Sequence, residues 1–314
     1  MYVHHSRFAR PVAELTTDQS SRYHFDFDTL RETCEMHEQE FGDMHEMERV
    51  EVDQPAPSNY YYFKDNGAKI LAVAHLDTCV DHDERKTVLA ETAGGDVVYS
   101  GALDDRLGAY VILDLLPKMG VDVDWLFTVG EEDGMSTAAF FDPADHHDRD
   151  YNWIIQFDRG GTDVVLYQYE TPDLVDKVER TGRRVEQGAF SDISFMEHVG
   201  RKAMNWGVGY RDYHSTRGHV WLDDLFLMVD AFVAFHAEYE DEVMPHEEEE
   251  MSTTWWNDPT LLDEDSDATV GDNEEVLACD AKGWVLSIDC SGTVETTEYG
   301  DLCSRHFRWI DEEE

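Results

Sequence analysis

The sequence predicts a three-layer α/β/α fold around a mixed, mostly parallel central sheet, followed along the chain by a small C-terminal β module. Three observations carry that expectation. Continuous apolar runs such as KILAVAH and VDWLFTV mark strands buried on both faces. These runs alternate with stretches of helical periodicity, the order that covers a sheet with helices. Beyond Glu242 the composition turns acidic and then breaks into short alternating strands, which sets the end of the chain apart.

Taken in order, residues 1–25 have no regular pattern. From Phe27 to Glu51 a polar, helix-favouring stretch carries Leu30, Cys34, Phe41 and Met44 near one face. Asn59–Phe63 and Lys69–Ala74 read as strands joined by the turn Asp65-Asn66-Gly67. A polar hairpin follows around Gly94-Gly95, then a helix over Asp104–Met119 with Leu107, Tyr110, Val111 and Leu115 among its apolar residues. Val123–Val129 is a buried strand, and Met135–Phe141 begins a helix. Trp153–Phe157 and Asp163–Tyr167 read as strands, Pro172–Glu179 as a short helix, Phe190–His198 as a further segment and Lys202–Trp206 as a strand. The long amphipathic helix Trp221–Glu240 closes the domain. The expected boundaries are a main domain over 1–245, an acidic linker over 246–275 and a β module over 276–314, with EVLACD, WVLSIDC and TVETT around turns. No internal repeat is visible.

Charge narrows the function. Among 314 residues, 24 Lys+Arg face 70 Asp+Glu, a formal net charge of −46. Binding nucleic acid through its phosphates needs a basic footprint that this chain lacks, and an anionic membrane surface would repel it. No apolar run approaches the roughly 18–20 residues of a membrane span, and the first residues show no apolar core of a secretory signal. The acidity is not that of a disordered chain, because 41% of residues are hydrophobic and 12% aromatic, enough for a sizeable core. Only 7 of the 24 basic residues are Lys. Many carboxylates, few lysines and an ordinary core are the surface expected of a protein working in molar salt, where the Debye length falls to about 3 Å and self-repulsion is suppressed. The five cysteines are odd in number and sparse, which points to a reducing, cytoplasmic setting rather than a disulfide scaffold.

Five fragments place metal-binding or acid–base residues at ends of predicted strands, where open α/β sheets build their sites. They are AHLDT with His75 and Asp77, GALDDRLG with Asp104 and Asp105, TVGEEDG with Glu131 and Glu132, IIQFDRGG with Asp158, and GYRDYHSTRGHV with His214 and His219. Singly each is weak, since paired acids mean little in so acidic a chain. Together they put two histidines and several carboxylates beside otherwise apolar strands, whereas acids placed for solubility alone would scatter over helix faces. No Gly-x-Ser-x-Gly elbow occurs, which disfavours a serine hydrolase. Cys79 reads as a small packed residue rather than a nucleophile.

In this order the motifs HLD, DD-x-x-G opening a helix, GEE, a later Asp and Tyr-x-x-x-His resemble the co-catalytic dizinc exopeptidases, the zinc aminopeptidases and their carboxypeptidase and deacylase relatives. The resemblance covers about Asn59 to Glu240. It implies two zinc ions, with manganese or cobalt fitting the same donors. His75 would ligate one zinc and Asp77 would orient it. Asp104, spaced from Gly108 as in that family, would bridge both ions. Glu131 would be the general base, Glu132 a ligand of the second zinc, Asp158 a ligand of the first and His214 of the second. Adjacent Glu131 and Glu132 divide these roles only if the chain turns sharply, which Gly130 and Gly134 permit. Tyr210, Arg211 and Arg159 are candidate oxyanion or substrate donors. His219 departs from the family, which usually carries an acid there, and is expected at the surface or toward substrate. The 56 positions from Asp158 to His214 leave no room for an inserted lid domain, so the resemblance is to the single-domain aminopeptidase branch and gives no oligomeric state. The expected activity is hydrolysis of amide bonds in short peptides, the alternatives being a non-peptide amidohydrolase acting on N-acyl amino acids at the same site, or a metal-binding homologue without turnover. In the C-terminal module, Cys279, Cys290, Cys303 and His306 are candidate ligands of a further, structural zinc.

Overall fold

The computed structural model describes residues 25–54 and 56–247 and the backbone of two short strands at 294–297 and 300–303. Its central feature is an eight-stranded sheet. The strands are β1 (Glu48–Glu51), β2 (Tyr60–Lys64), β3 (Ile70–His75), β6 (Asp124–Thr128), β7 (Trp153–Arg159), β8 (Val164–Val165), β9 (Val185–Glu186) and β10 (Ala203–Gly207). They lie in the order β1-β2-β6-β3-β7-β10-β8-β9. The middle of the sheet is parallel, β6 with β3, β3 with β7 and β7 with β10, while β1, β2 and β8 pair antiparallel. A second, antiparallel sheet holds β4 (Val88–Thr92), β5 (Gly95–Tyr99), β11 (Tyr210–Arg211) and β12 (His219–Trp221) in the order β11-β12-β5-β4.

The α/β fold with a mixed, mostly parallel sheet is thus the one the sequence predicts. The strand β3 shows why its apolar run was continuous: Ile70, Ala72 and Ala74 join one hydrophobic cluster and Leu71 and Val73 the other. The first cluster takes the buried faces of α1 (Phe27–Glu35), α2 (Glu38–Met44), α3 (Leu103–Tyr110, prolonged by a π turn over Val111–Leu115), α4 (Pro172–Arg180) and α5 (Leu222–Tyr239). Each large aliphatic or aromatic side chain buried there, such as Phe232 or Leu107, contributes about 1.5–3 kcal/mol. The second face is covered by single 3-10 turns, Thr137–Phe140 and Asp192–Phe195, which supply Ala138 and Ile193.

Several elements differ from expectation for identifiable reasons. The stretch from Phe27 to Glu51 is two helices and then β1: Met36, extended at φ −73 and ψ 144, ends the first, and Glu46 at φ +53, a left-handed conformation, follows the second. Met135–Phe141 forms only a 3-10 turn. Asp142 precedes Pro143, and a residue before proline is driven out of the α region. β2 and β3 are not neighbours, since β6 lies between them. Asp124, at the start of β6, accepts the N–H groups of Asn66 at 2.8 Å and Ala68 at 2.9 Å and so docks into the turn that joins them. Asp163–Tyr167 shrinks to β8 followed by a 3-10 turn.

The chain divides into units over 1–249 and 250–314. In the second, β13 (Val294–Thr297) pairs antiparallel with β14 (Gly300–Cys303). Most of the expected linker, together with Cys279, Cys290 and His306, lies outside the described residues, and of Cys303 only the backbone is described. Among the described residues, no helix is long and apolar enough to cross a membrane.

Candidate metal centre

Three of the five fragments meet because their strands are neighbours. β6, β3 and β7 are adjacent and parallel, so their C-terminal ends line up, the place where such sheets build sites. His75 ends β3, Asp158 is the penultimate residue of β7, and Glu131 follows β6. Gly130 makes that turn at φ +84, and a Cβ there would lie 2.7 Å from the Met135 carbonyl oxygen and 2.8 Å from Ser58 Cβ. Only glycine fits both demands. Asp104 comes from the first turn of α3, after the second sheet's β5, and the Asp104–Asp105 peptide is cis. His214 sits between β11 and β12 with φ +56. The two strands of this second sheet that frame it are two and three residues long, too short to leave a periodic signal.

The side chains converge on Asp104. Its Oδ1 lies 3.2 Å from His75 Nε2 and its Oδ2 lies 3.1 Å from His214 Nε2. On one side, Glu131 Oε2 and Asp158 Oδ1 approach His75 Nε2 to 3.7 and 3.9 Å. On the other, Glu132 Oε2 is 3.0 Å from His214 Nε2. Two groups of donor atoms result, each within 4.8 Å of one another: His75, Asp104 and Asp158, and Cys79, Glu132 and His214. His75 is fully buried, and its Nε2 makes no hydrogen bond despite the surrounding carboxylates. Its Nδ1 lies 3.0 Å from the Asp77 carbonyl oxygen, which can only accept, so Nδ1 carries the proton and the Nε2 lone pair faces the cluster. The Asp77 carboxylate stands farther off, 3.7 Å from Nδ1, and accepts the Glu132 N–H at 3.1 Å.

Burial and mutual repulsion govern the electrostatics. Burial, then the neighbouring acids, push Glu131 up to about 8 and Asp158 well above the usual carboxylate range. Burial also raises Asp104, but the imidazoles of His214 and His75 at its two oxygens outweigh it and hold that carboxyl low. His214 is raised to about 10 by Asp104 and Glu132. Burial works against a charge on His75, yet Glu131, Asp104 and Asp158 raise it well above the ordinary histidine value. Such a concentration of carboxylates and imidazoles is relieved when a divalent cation becomes the largest local charge.

The remaining candidates are placed as follows. Tyr210 is buried, and its hydroxyl donates to Asp158 Oδ1 at 2.8 Å, so its proton is committed to that carboxylate. Arg211 pairs with Asp224 at 2.8 Å. Arg159 pairs with Asp163 at 2.9 Å and lines a cavity with Thr162, Arg183 and Arg184 that includes none of the clustered residues. His219 packs against the Tyr99 ring and stands 3.8 Å from Asp212, apart from the cluster. Sequence reasoning missed an adjoining buried network. Asp192 accepts from Ser136 at 2.5 Å, Thr128 at 2.7 Å and Gln156 at 2.8 Å, and Gln156 also reaches Asp158. The one visible signal was Gln156, a polar residue inside an apolar strand. Cys79 was read as packed; it is exposed and its thiol donates to Glu132 Oε2 at 3.1 Å.

No protein-family model matches the chain, and no curated protein matches it. Solved structures do. A tripeptidase from Staphylococcus aureus superimposes with a TM-score of 0.50 at 12% identity, over 66% of this chain and 96% of that one. The chain shares the fold of that peptidase. Aminopeptidase PepT from Bacillus cereus gives 0.47 at 13% identity over 67% and 95%. A TET aminopeptidase from a marine sediment archaeon gives 0.46 at 14% over 66% and 94%. In the tripeptidase fold found here, the strand ends β6, β3 and β7 carry Glu131, His75 and Asp158.

Proposed function

We propose that the chain is a two-metal hydrolase of amide bonds, an aminopeptidase acting on short peptides. The observation that supports this most directly is Asp104, whose two oxygens face two different imidazoles at 3.2 and 3.1 Å. The donor set fits the group. His75 Nε2 is buried, without a hydrogen bond and aimed into the cluster, and imidazole with carboxylate suits zinc, manganese or cobalt. His75, Asp104 and Asp158 would hold one cation, and Asp104, Glu132 and His214 the other. When bound at such a centre, a divalent cation would polarise the amide carbonyl and lower the pKa of water.

The rest is work for the chain's own side chains. Glu131 is buried, reaches His75 Nε2 at 3.7 Å and has a carboxyl pushed up to about 8. A carboxyl poised near neutrality takes a proton from the attacking water and returns it to the leaving amine. The Asp77 carbonyl fixes the tautomer of His75 while the Asp77 carboxylate holds the backbone of Glu132. The charge of −46 is in keeping with work in a salt-rich cytoplasm, where self-repulsion is screened.

Metal content measured in molar KCl, with hydrolysis of peptides, aminoacyl amides and N-acyl amino acids, tests the reading. Two divalent cations per chain and turnover of the first two substrates are expected. Glu131→Gln should keep its metal and lose about 10²–10⁴-fold in kcat. Less than one cation per chain, or undiminished turnover by Glu131→Gln, defeats it. Preference for N-acyl amino acids would make the enzyme a deacylase.

A further inference from the structure

We propose that Cys79 is a protein ligand of the second cation, completing with Asp104, Glu132 and His214 a four-donor site. The inference rests on the two-metal reading above. Cys79 stands four residues beyond His75, on the loop that leaves β3. Glu132 fixes it twice: its Oε1 accepts the Cys79 N–H at 3.3 Å and its Oε2 accepts the thiol at 3.1 Å. The same Oε2 is 3.0 Å from His214 Nε2, and the three donor atoms lie within 4.8 Å of one another.

A separate observation shows that the centre is built for a ligand. On the opposite side of Asp104, His75 Nε2 is wholly buried, makes no hydrogen bond and points at the same carboxylate. Asp104, a member of the triad with His75 and Asp158, also faces the other triad through His214 Nε2 at 3.1 Å. Packing does not account for Cys79, because the residue is exposed.

The chemistry follows from the donor types. Thiolate, imidazole and carboxylate together form a zinc set, and a soft thiolate favours zinc or cobalt over manganese, magnesium or calcium. Binding forms a sulfur–metal bond, breaks the S–H bond and releases that proton to solvent. Four protein donors close a site, whereas catalytic sites keep a position open. The Cys79 side therefore anchors its cation, and the open position falls to the side of His75 and Asp158, beside Glu131.

Cobalt(II) titration of the full chain under a phosphine reductant tests this. The wild type should develop a near-ultraviolet thiolate-to-cobalt charge-transfer band, and Cys79→Ser should lose it while keeping its visible cobalt bands. Cys34, Cys279, Cys290 and Cys303 are present in both proteins, so the difference spectrum isolates Cys79. Cys79→Ser should also bind its second zinc roughly 10–100-fold more weakly, at least the cost of losing an outer partner of a ligand. In the wild type, bound zinc should slow alkylation of Cys79, followed by mass spectrometry, about tenfold or more. Two cobalt ions bound with the same near-ultraviolet spectrum in both proteins would overturn the ligand assignment and leave the two-metal reading standing. Alkylation of Cys79 at the same rate with and without bound zinc would do likewise. Failure of the wild type to bind cobalt at all would overturn both.

Discussion

Asp77 and Glu132 are joined by a hydrogen bond from the Glu132 N–H to Asp77 Oδ2, 3.1 Å long. It ties the loop after β3 to the turn after β6, and so sets the distance between the two donor groups. Removing an acceptor of this kind leaves the donors present but loosely held. Asp77→Ala should weaken metal binding about 10–100-fold, measured by competition with a chromophoric chelator, with little change in thermal stability. Unchanged metal affinity would show that the bond has no positioning role.

Tyr210 bears on how the first donor group is held. Its hydroxyl donates to Asp158 Oδ1 at 2.8 Å, and a hydrogen bond to a charged group is worth about 1.5–3 kcal/mol. Tyr210→Phe should therefore weaken metal binding about tenfold and leave kcat within a few-fold of wild type at saturating metal. A loss of 10²–10³ in kcat at saturating metal is the signature of an oxyanion donor and would reassign the residue.

The pH dependence of metal binding follows from the histidines. His214 is raised to about 10 by Asp104 and Glu132, and His75 is raised well above its ordinary value. At about 10, His214 is cationic in the metal-free chain at pH 7 and must lose a proton to bind a cation. Affinity should then rise with pH through neutrality, with release of protons, read by calorimetry in buffers of different ionisation enthalpy. The sign for stability is opposite. A raised histidine stabilises the metal-free fold fully below its unfolded value, about 6.5, and that contribution fades as pH climbs toward 10. Metal binding without proton release at pH 7 would contradict this account.

The parts of this molecule that were legible in the sequence are those where one residue type serves one purpose over several positions. The run of β3 is apolar because alternate residues enter different clusters, and its polar end, His75, stands out against it. The adjacency of β6, β3 and β7 then gathers three fragments that are far apart along the chain. Asp192 left no such trace. It is one acid among 70, and its burial depends on Thr128, Ser136 and Gln156, whose meeting is a property of the fold. Cys79 was invisible for a related reason, since only the turn at Gly130 brings Glu132 to it. The β11–β12 pair is too short to show alternation.

Arg106 links the core to the candidate metal centre. It is fully buried, with Nε donating to the Leu76 carbonyl at 2.8 Å, Nη1 to the Thr33 carbonyl at 3.0 Å and Nη2 to Glu38 Oε1 at 3.2 Å. Arg85 donates to the same Glu38 oxygen at 2.7 Å. One guanidinium thus pins α1, the start of α2 and the residue after His75 to the second residue after Asp104. Its planar fork serves three directions, which a lysine cannot. Removing one partner of a buried pair costs about 3–5 kcal/mol, so Arg106→Met should destabilise the chain by about that much in denaturant unfolding, and Arg106→Lys should recover only part of it. A surface pair would lose its worth in molar KCl, where screening acts within about 3 Å. Arg106 is shielded from solvent ions, so the deficit should persist at high salt, and a deficit that vanished there would show that the contact is no more than a surface ion pair.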